Sequence, residues 1–164
     1  MNRRWLILCG AAAVVLAALV AWLVWRPRAQ PPPRARPYLE YTACLLTDGR
    51  GPVSASVWSG MQDASLATHA KVQYLQVAGE STAANAMPYL ASLVQRRCAV
   101  VFAVGTAQVA AVAADAPKFP GVRFVAVGGS LAGANVTNID ASDPAQVRGR
   151  VDTFLRTAVR SSTP

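Results

Sequence analysis

The chain has 164 residues, of which 53% are hydrophobic and 15% charged, a composition that suits one folded domain with a small apolar addition. Its formal net charge of +8 is concentrated at the front, because residues 1–36 hold six arginines and no acid. The pI of 10.3 therefore reflects the residues that flank the N-terminal apolar run and not a nucleic-acid-binding surface. No RNP, zinc-finger or basic-helix pattern occurs, so we expect no nucleic-acid partner.

The N-terminal region predicts a membrane anchor. Trp5 to Trp25 is a run of 21 residues without a charge, and at about 1.5 Å per residue it would cross the ~30 Å hydrocarbon core of a bilayer. A cleaved signal peptide would have a shorter apolar core and a small-x-small site. We therefore expect a basic tail at 1–4, a transmembrane helix at 5–25, a Pro/Arg-rich linker at 26–37, a folded lobe at 38–161 and a tail at 162–164.

The orientation of this anchor is left open by the sequence. Arginines flank the apolar segment on both sides, so the positive-inside rule does not decide and slightly favours a cytoplasmic lobe. The five prolines in the segment from Arg26 through Pro37 indicate a polyproline-like spacer of about 35 Å.

The first β-α unit of the lobe is the clearest local pattern. Residues 39–46 form an apolar run of strand length, and 47–52 are a Gly/Pro turn with Pro52 suited to a helix start. A helical stripe follows at Val53, Val57, Met61 and Ala64.

Strand and helix signals then alternate to the end of the chain. We predict further strands at 71–77, 98–104, 122–127 and 135–139. We predict further helices from an Asn85 cap to about Arg97, with Pro88 in the first turn, from 106 to before Pro117, and after an Asp143 cap. This order predicts an α/β fold, a doubly wound, Rossmann-like, mostly parallel sheet of about five strands.

Candidate binding residues follow three of the predicted strands. In such folds ligands sit beyond the carboxyl ends of the strands, where we place Asp48, Gly49, Arg50, Gly105, Thr106 and Gly129. The Asp48 carboxylate could accept hydrogen bonds from a sugar hydroxyl or could cap its own turn, and we rate the two roles equal.

No catalytic or cofactor motif accompanies these residues. The loop after the first strand lacks the G-x-G-x-x-G fingerprint, no Gly-Lys-Ser/Thr phosphate loop occurs, and the single histidine, His69, has no triad or metal cluster around it. We therefore expect a protein that is not an enzyme, without cofactor or metal.

Two cysteines fall within the predicted lobe, Cys44 in the first strand and Cys98 at the start of the third. An extracytoplasmic setting would permit a disulfide, but a bridge between adjacent parallel strands has awkward geometry. We expect two small buried hydrophobic residues instead.

Short motifs in the lobe resemble a known family. They are Leu46-Thr47-Asp48, Val57-Trp58-Ser59-Gly60-Met61, Pro88 ten residues before Cys98, Ala103-Val104-Gly105-Thr106, Pro120-Gly121-Val122-Arg123-Phe124 and Asn135-Val136-Thr137. Their order and spacing are similar to the basic membrane lipoprotein group, the purine-nucleoside-receptor-like substrate-binding proteins of ABC importers.

The resemblance implies one lobe of a type I periplasmic binding protein, extracytoplasmic at the cell membrane. Its ligand would be nucleoside-like, bound weakly or in a complex with an ABC importer or a second-lobe partner. The family's Ser-Phe-Asn-Gln positions, which contact the nucleoside, hold Pro52, Val53, Ser54 and Ala55 here. The alternative is therefore a non-catalytic protein-interaction module that has lost ligand binding.

Overall fold

The computed structural model describes Leu19, Trp22 and residues 37–162. The chain divides into two compact units, Met1–Ala35 and Arg36–Pro164. Among the described residues there is no helix with the length and hydropathy that a membrane crossing requires. Apart from Leu19 and Trp22, the predicted anchor at 5–25 lies outside the described residues, as does nearly all of the predicted linker.

Five strands form one sheet in which every neighbouring pair is parallel. The spatial order is β2-β1-β3-β4-β5. The register places all strand starts at one edge, the amino edge, and all strand ends at the other, the carboxyl edge. The strands are β1 Thr42–Thr47, β2 Lys71–Gln76, β3 Val100–Val104, β4 Arg123–Val127 and β5 Val136–Ile139. The predicted α/β class and five-stranded parallel sheet are confirmed.

Four α-helices cover the two faces of this sheet. They are α1 Gly51–Thr68, α2 Ala83–Gln95, α3 Thr106–Asp115, which continues into a 3-10 turn Ala116–Lys118, and α4 Pro144–Ser162. α1 and α4 pack together on one face, and α2 and α3 on the other. Successive β1 side chains therefore enter different cores: Leu45 packs with Met61 and Leu155, while Cys44 and Leu46 pack on the opposite face. Both cores lie within residues 36–164.

The predicted stripe of α1 faces the core. Val57, Met61 and Ala64 are fully buried and Val53 is partly buried. Pro52 occupies the first turn, as predicted. Gly60 lies against α4 so closely that a Cβ there would collide with the Arg148 carbonyl oxygen.

The start of α2 differs from the prediction. Thr82, not Asn85, is the cap: its hydroxyl accepts from the Asn85 N–H at 3.2 Å. The Asn85 amide instead donates to the carbonyls of Ala78 and Glu80, which closes the preceding loop. Because the helix begins earlier, at Ala83, Pro88 lies in its second turn rather than its first.

A Cys44–Cys98 disulfide joins β1 to the turn before β3, with Cα atoms 5.9 Å apart. The prediction of two unbridged thiols is therefore wrong. It placed Cys98 inside the third strand, but β3 begins only at Val100. Cys98 follows a left-handed turn at Arg97, whose φ is 59°. Outside the strand ladder, Cys98 can approach Cys44, whose own partner in β3 is Val101.

Candidate functional site

A cleft of about 640 Å³ opens at the carboxyl edge of the sheet. It lies where β1 and β3 are neighbours while α1 and α3, the helices that follow them, cover opposite faces. This reversal of winding is where ligands bind in open α/β sheets. The cleft lining includes five of the six predicted residues, Asp48, Arg50, Gly105, Thr106 and Gly129.

Asp48 lies at the rim of this cleft and is partly exposed. Its Oδ1 accepts from the Arg50 N–H at 3.0 Å, so the carboxylate closes its own turn. Within the described part of the chain, no hydrogen bond to Oδ2 is formed. The turn-capping role and the ligand-facing role thus use different oxygens and are compatible.

The loop that carries Asp48 is fixed by a buried hydroxyl pair. The Ser54 Oγ donates to the Arg50 carbonyl at 3.1 Å, so the Thr47 hydroxyl, 2.7 Å away, donates to Ser54. Thr47 also accepts from the Gly49 N–H at 3.1 Å. Ser54 therefore holds the loop from its buried side and does not line the cleft.

Gly49 is the predicted residue that does not line the cleft. It faces β2, where a Cβ would come within 2.6 Å of Gln76 Nε2. The same Gln76 amide donates to the Asp48 carbonyl at 3.0 Å. Gly49 thus admits a cross-strand hydrogen bond that holds Asp48 in place.

The second side of the cleft is the amino end of α3. Gly105 precedes this helix with φ 110°, a conformation that L-residues rarely adopt, and supplies no side-chain cap. The first N–H groups of a helix have no intrahelical partner. Together with the exposed Thr106 hydroxyl, they offer hydrogen-bond donors to the cleft.

Sequence reasoning missed Gln108, which lies in the first turn of α3 and is 1% exposed. Its Nε2 is buried without a hydrogen-bond partner among the residues that the structure covers. A Cβ on Gly105 would collide with Gln108 Oε1 and would lie 3.8 Å from the Asp48 carboxyl carbon. Gln108 does not line the cleft itself; its side chain lies against the Gly105 backbone, on the buried side.

A signal for Gln108 was present in the sequence. Gln108, Ala111, Val112 and Asp115 recur at i, i+3, i+4 and i+7, the spacing of a buried helix face, and all four are buried. A glutamine on such a face needs either a protein partner or a ligand.

The far wall of the cleft is apolar. Gly129 packs against Val109, so that a Cβ at Gly129 would lie 2.6 Å from Val109 Cγ1. Val53 and Leu131 add further aliphatic surface. Beyond this wall, the Ser142 hydroxyl and N–H hold the pKa of Asp140 below its usual value. An apolar wall facing a rim of a few polar groups is typical of small-molecule sites.

Metal chemistry finds no support at this edge. No group of three or more His, Cys, Asp or Glu side chains arranged to hold an ion occurs in the described portion of the chain.

No protein-family model matches the chain, and no curated protein matches it in sequence. Similarity appears among solved structures. A fragment of a protein assigned as a lipoprotein from Peptoclostridium difficile 630 aligns with a TM-score of 0.59 and 12% identity, over 76% of this chain and 100% of that one.

Two further solved structures are similar over part of their length. An ABC transporter solute-binding protein from Thermobispora bispora DSM 43833 gives a TM-score of 0.50 at 11% identity, over 73% of this chain and 49% of its own. Full-length LpoA from Haemophilus influenzae gives 0.50 at 13% identity, over 79% and 30%. The chain thus spans less than half of either protein. Identities this low show the fold alone, a solute-binding-protein-like lobe, and do not single out the basic membrane lipoprotein group.

Proposed function

We propose that residues 37–162 form a non-catalytic binding lobe, held outside the cytoplasm by an N-terminal membrane anchor, that takes a small hydroxylated molecule of nucleoside-like character at the carboxyl edge. The observation that carries this proposal is that Asp48 and the uncapped start of α3 line one cleft, with the buried, unpartnered Gln108 amide lying behind Gly105.

The chemistry of these groups favours a hydroxyl. The Asp48 carboxylate only accepts hydrogen bonds, whereas the first N–H groups of α3 only donate. A hydroxyl does both and can bridge the two sides. The apolar wall of Val53, Val109 and Leu131 would cover the less polar part of the same molecule.

The affinity of the lobe alone should be low. A good site encloses about 70–90% of its ligand, and this cleft stays open to solvent on the side away from the sheet. A second lobe, supplied by an ABC importer or another partner chain, would complete it. The match to about half of a solute-binding protein supports this arrangement.

The disulfide supports the extracytoplasmic location. Structural disulfides form and persist in oxidising compartments and are rare in the cytosol. The Cys44–Cys98 bridge is fully buried, as the cystines of structural bridges are. It therefore favours the orientation that flanking arginines leave open.

Equilibrium dialysis of the lobe against a panel of nucleosides and related polyols tests the proposal. We expect binding at millimolar ligand that is lost in Asp48→Ala and weakened in Gln108→Leu, because the Gln108 side chain lies against the Gly105 backbone of the cleft. Glu80→Ala is the matched control, because Glu80 is an exposed acid outside the cleft lining. Gln108→Leu should also raise stability by about 1–2 kcal/mol, since it removes a buried unsatisfied amide. No binding by the wild-type lobe, or equal loss in Glu80→Ala, would contradict the proposal.

The second candidate is a protein-interaction module that uses the same edge as a docking surface. The openness of the cleft to one side favours it, because a flat partner could cover the rim without a small ligand. Capture of a membrane partner that is unaffected by Asp48→Ala, together with no dialysis signal, would support this candidate over the first.

A further inference from the structure

The amino edge of the sheet carries most of the positive charge of the lobe. Helices that connect parallel strands run back toward the strand starts, so their carboxyl ends meet this edge. Seven of the ten basic residues in 37–164 lie here, two at strand starts and five near or after helix ends. They define the basic edge: Lys71, Arg96, Arg97, Lys118, Arg123, Arg156 and Arg160.

Three of these charges are neutralised within the lobe. Lys71 pairs with Glu40 at 2.8 Å and lowers the pKa of that carboxyl. Lys118 and Arg156 each pair with an aspartate at 2.6 Å. In the region that the structure covers, the remaining four, Arg96, Arg97, Arg123 and Arg160, form no ion pair.

Helix ends account for part of this pattern only. A cation near a helix carboxyl end is favoured by the macrodipole, which explains Arg96, Arg97 and Arg160. Arg123 begins a strand and gains nothing from a helix end. The carboxyl edge is opposite in character, with Asp48, Glu80, Asp140 and Asp143 facing three arginines. The lobe is therefore electrically polarised along its strands.

Apolar side chains accompany the basic edge. Of the four large hydrophobic residues exposed in 37–162, three lie here: Tyr38 (55%), Leu39 (39%) and Leu66 (66%). The Leu39 N–H donates to the His69 carbonyl at 2.9 Å, which fixes the start of the lobe beside the end of α1. Leu39 also shares a surface groove with Arg156 and Arg160. Arginines interspersed with an exposed tyrosine and leucines are what a lipid interface accepts.

We propose that the basic edge docks on the anionic phospholipid headgroups of the membrane in which the chain is anchored. This inference rests on the proposed anchor. The uncharged run ends at Trp25, twelve residues before Pro37. Even an extended spacer of about 3 Å per residue keeps the lobe within ~35 Å of the headgroups. At that range tethering supplies a high effective concentration, so individually weak attractions suffice.

Docking on the basic edge would fix the orientation of the cleft relative to the membrane. The cleft is at the carboxyl edge, at the opposite ends of the same strands. A lobe seated on its basic edge presents Asp48 and the start of α3 away from the bilayer, open to a solute or a second lobe.

Co-sedimentation with lipid vesicles tests the inference. Residues 36–164 contain both cores, so the lobe is used alone, with phosphatidylglycerol/phosphatidylcholine vesicles and pure phosphatidylcholine vesicles. Arg160→Glu is compared with Arg150→Glu, an identical charge change on the same helix at the carboxyl edge. Arg123→Glu repeats the test on a strand, and circular dichroism verifies that each variant is folded.

We expect the lobe to bind the anionic vesicles only. Arg160→Glu and Arg123→Glu should each weaken this binding about tenfold or more, and Arg150→Glu should leave it unchanged. Salt at about 0.5 M, which screens surface charges, should abolish it. Equal loss in Arg150→Glu would indicate net charge alone and overturn the inference, as would binding to both vesicle types or to neither. Because the assay needs neither anchor nor solute, its failure leaves the dialysis experiment unaffected.

Discussion

Gly105 is the residue at which fold and cleft depend on each other. Its φ of 110° turns the chain from β3 into α3, and its missing Cβ leaves space for the Gln108 side chain. Gly149 is the opposite case. It lies inside α4, and a Cβ there would meet nothing within 4 Å. The two glycines therefore give a matched pair in which the same added methyl group has opposite consequences.

We predict that Gly105→Ala destabilises the lobe by about 1–3 kcal/mol, because alanine is strained at this φ and displaces Gln108. Gly149→Ala should stabilise it by about 0.5–1 kcal/mol, since glycine is a poor helix former. Urea denaturation of residues 36–164 measures both changes. A Gly105→Ala variant as stable as wild type would show that the turn is not constrained as described.

The sequence predicted the residues of the candidate site only where it also predicted the ends of the strands. The runs before Asp48 and Gly105 are unambiguous, so their meeting at one edge follows from parallel pairing. Gly49 faces β2 and not the cleft because of its contact with Gln76 of that strand, and a cross-strand contact of this kind has no local signal in the sequence. Gln108 had a local signal, its position on a buried helix face, but the meaning of that position appears only once Asp48 and Gly105 are seen beside it.

At the scale of elements, strand and helix types were predictable because the hydrophobic periods are strong, and their ends were less so. α2 illustrates this difference. Asn85 and Thr82 are both good capping residues, and tertiary contacts of the Asn85 amide with Ala78 and Glu80 assign the cap to Thr82. The predicted start of the third strand was two residues too early, and this error is why the disulfide was not predicted.

The disulfide links β1 to the α2–β3 turn across 54 residues of sequence. Closing a loop of that length restricts the unfolded chain by about 4 kcal/mol in the chain-entropy model. We predict that the double variant Cys44→Ala/Cys98→Ala loses most of this stability and that reductant then has no further effect on it. Guanidinium denaturation with and without reductant measures the loss. In the full chain, Cys9→Ala should leave stability unchanged, and an equal loss there would contradict the assignment of the bridge.

At the scale of the whole molecule, the parallel sheet separates two chemistries. Every strand begins at the basic edge and ends at the cleft edge, so one topology places most cations of the lobe at one edge and the cleft at the other. The proposed membrane docking and the proposed solute binding therefore use opposite edges of the same sheet.

The last prediction concerns which side of the membrane the lobe occupies. The flanking arginines slightly favour the cytoplasm, whereas a buried disulfide favours the outside, and the two arguments differ in weight. Arginines on both sides nearly cancel, whereas structural disulfides are rare where thiols are kept reduced. We therefore expect a C-terminal alkaline phosphatase fusion to be active and a C-terminal green fluorescent protein fusion to be dark. Alkylation of the denatured, non-reduced protein should label Cys9 and leave Cys44 and Cys98 unmodified. An inactive phosphatase fusion with two alkylated core cysteines would place the lobe inside, and both the disulfide and the extracytoplasmic role would then be rejected together.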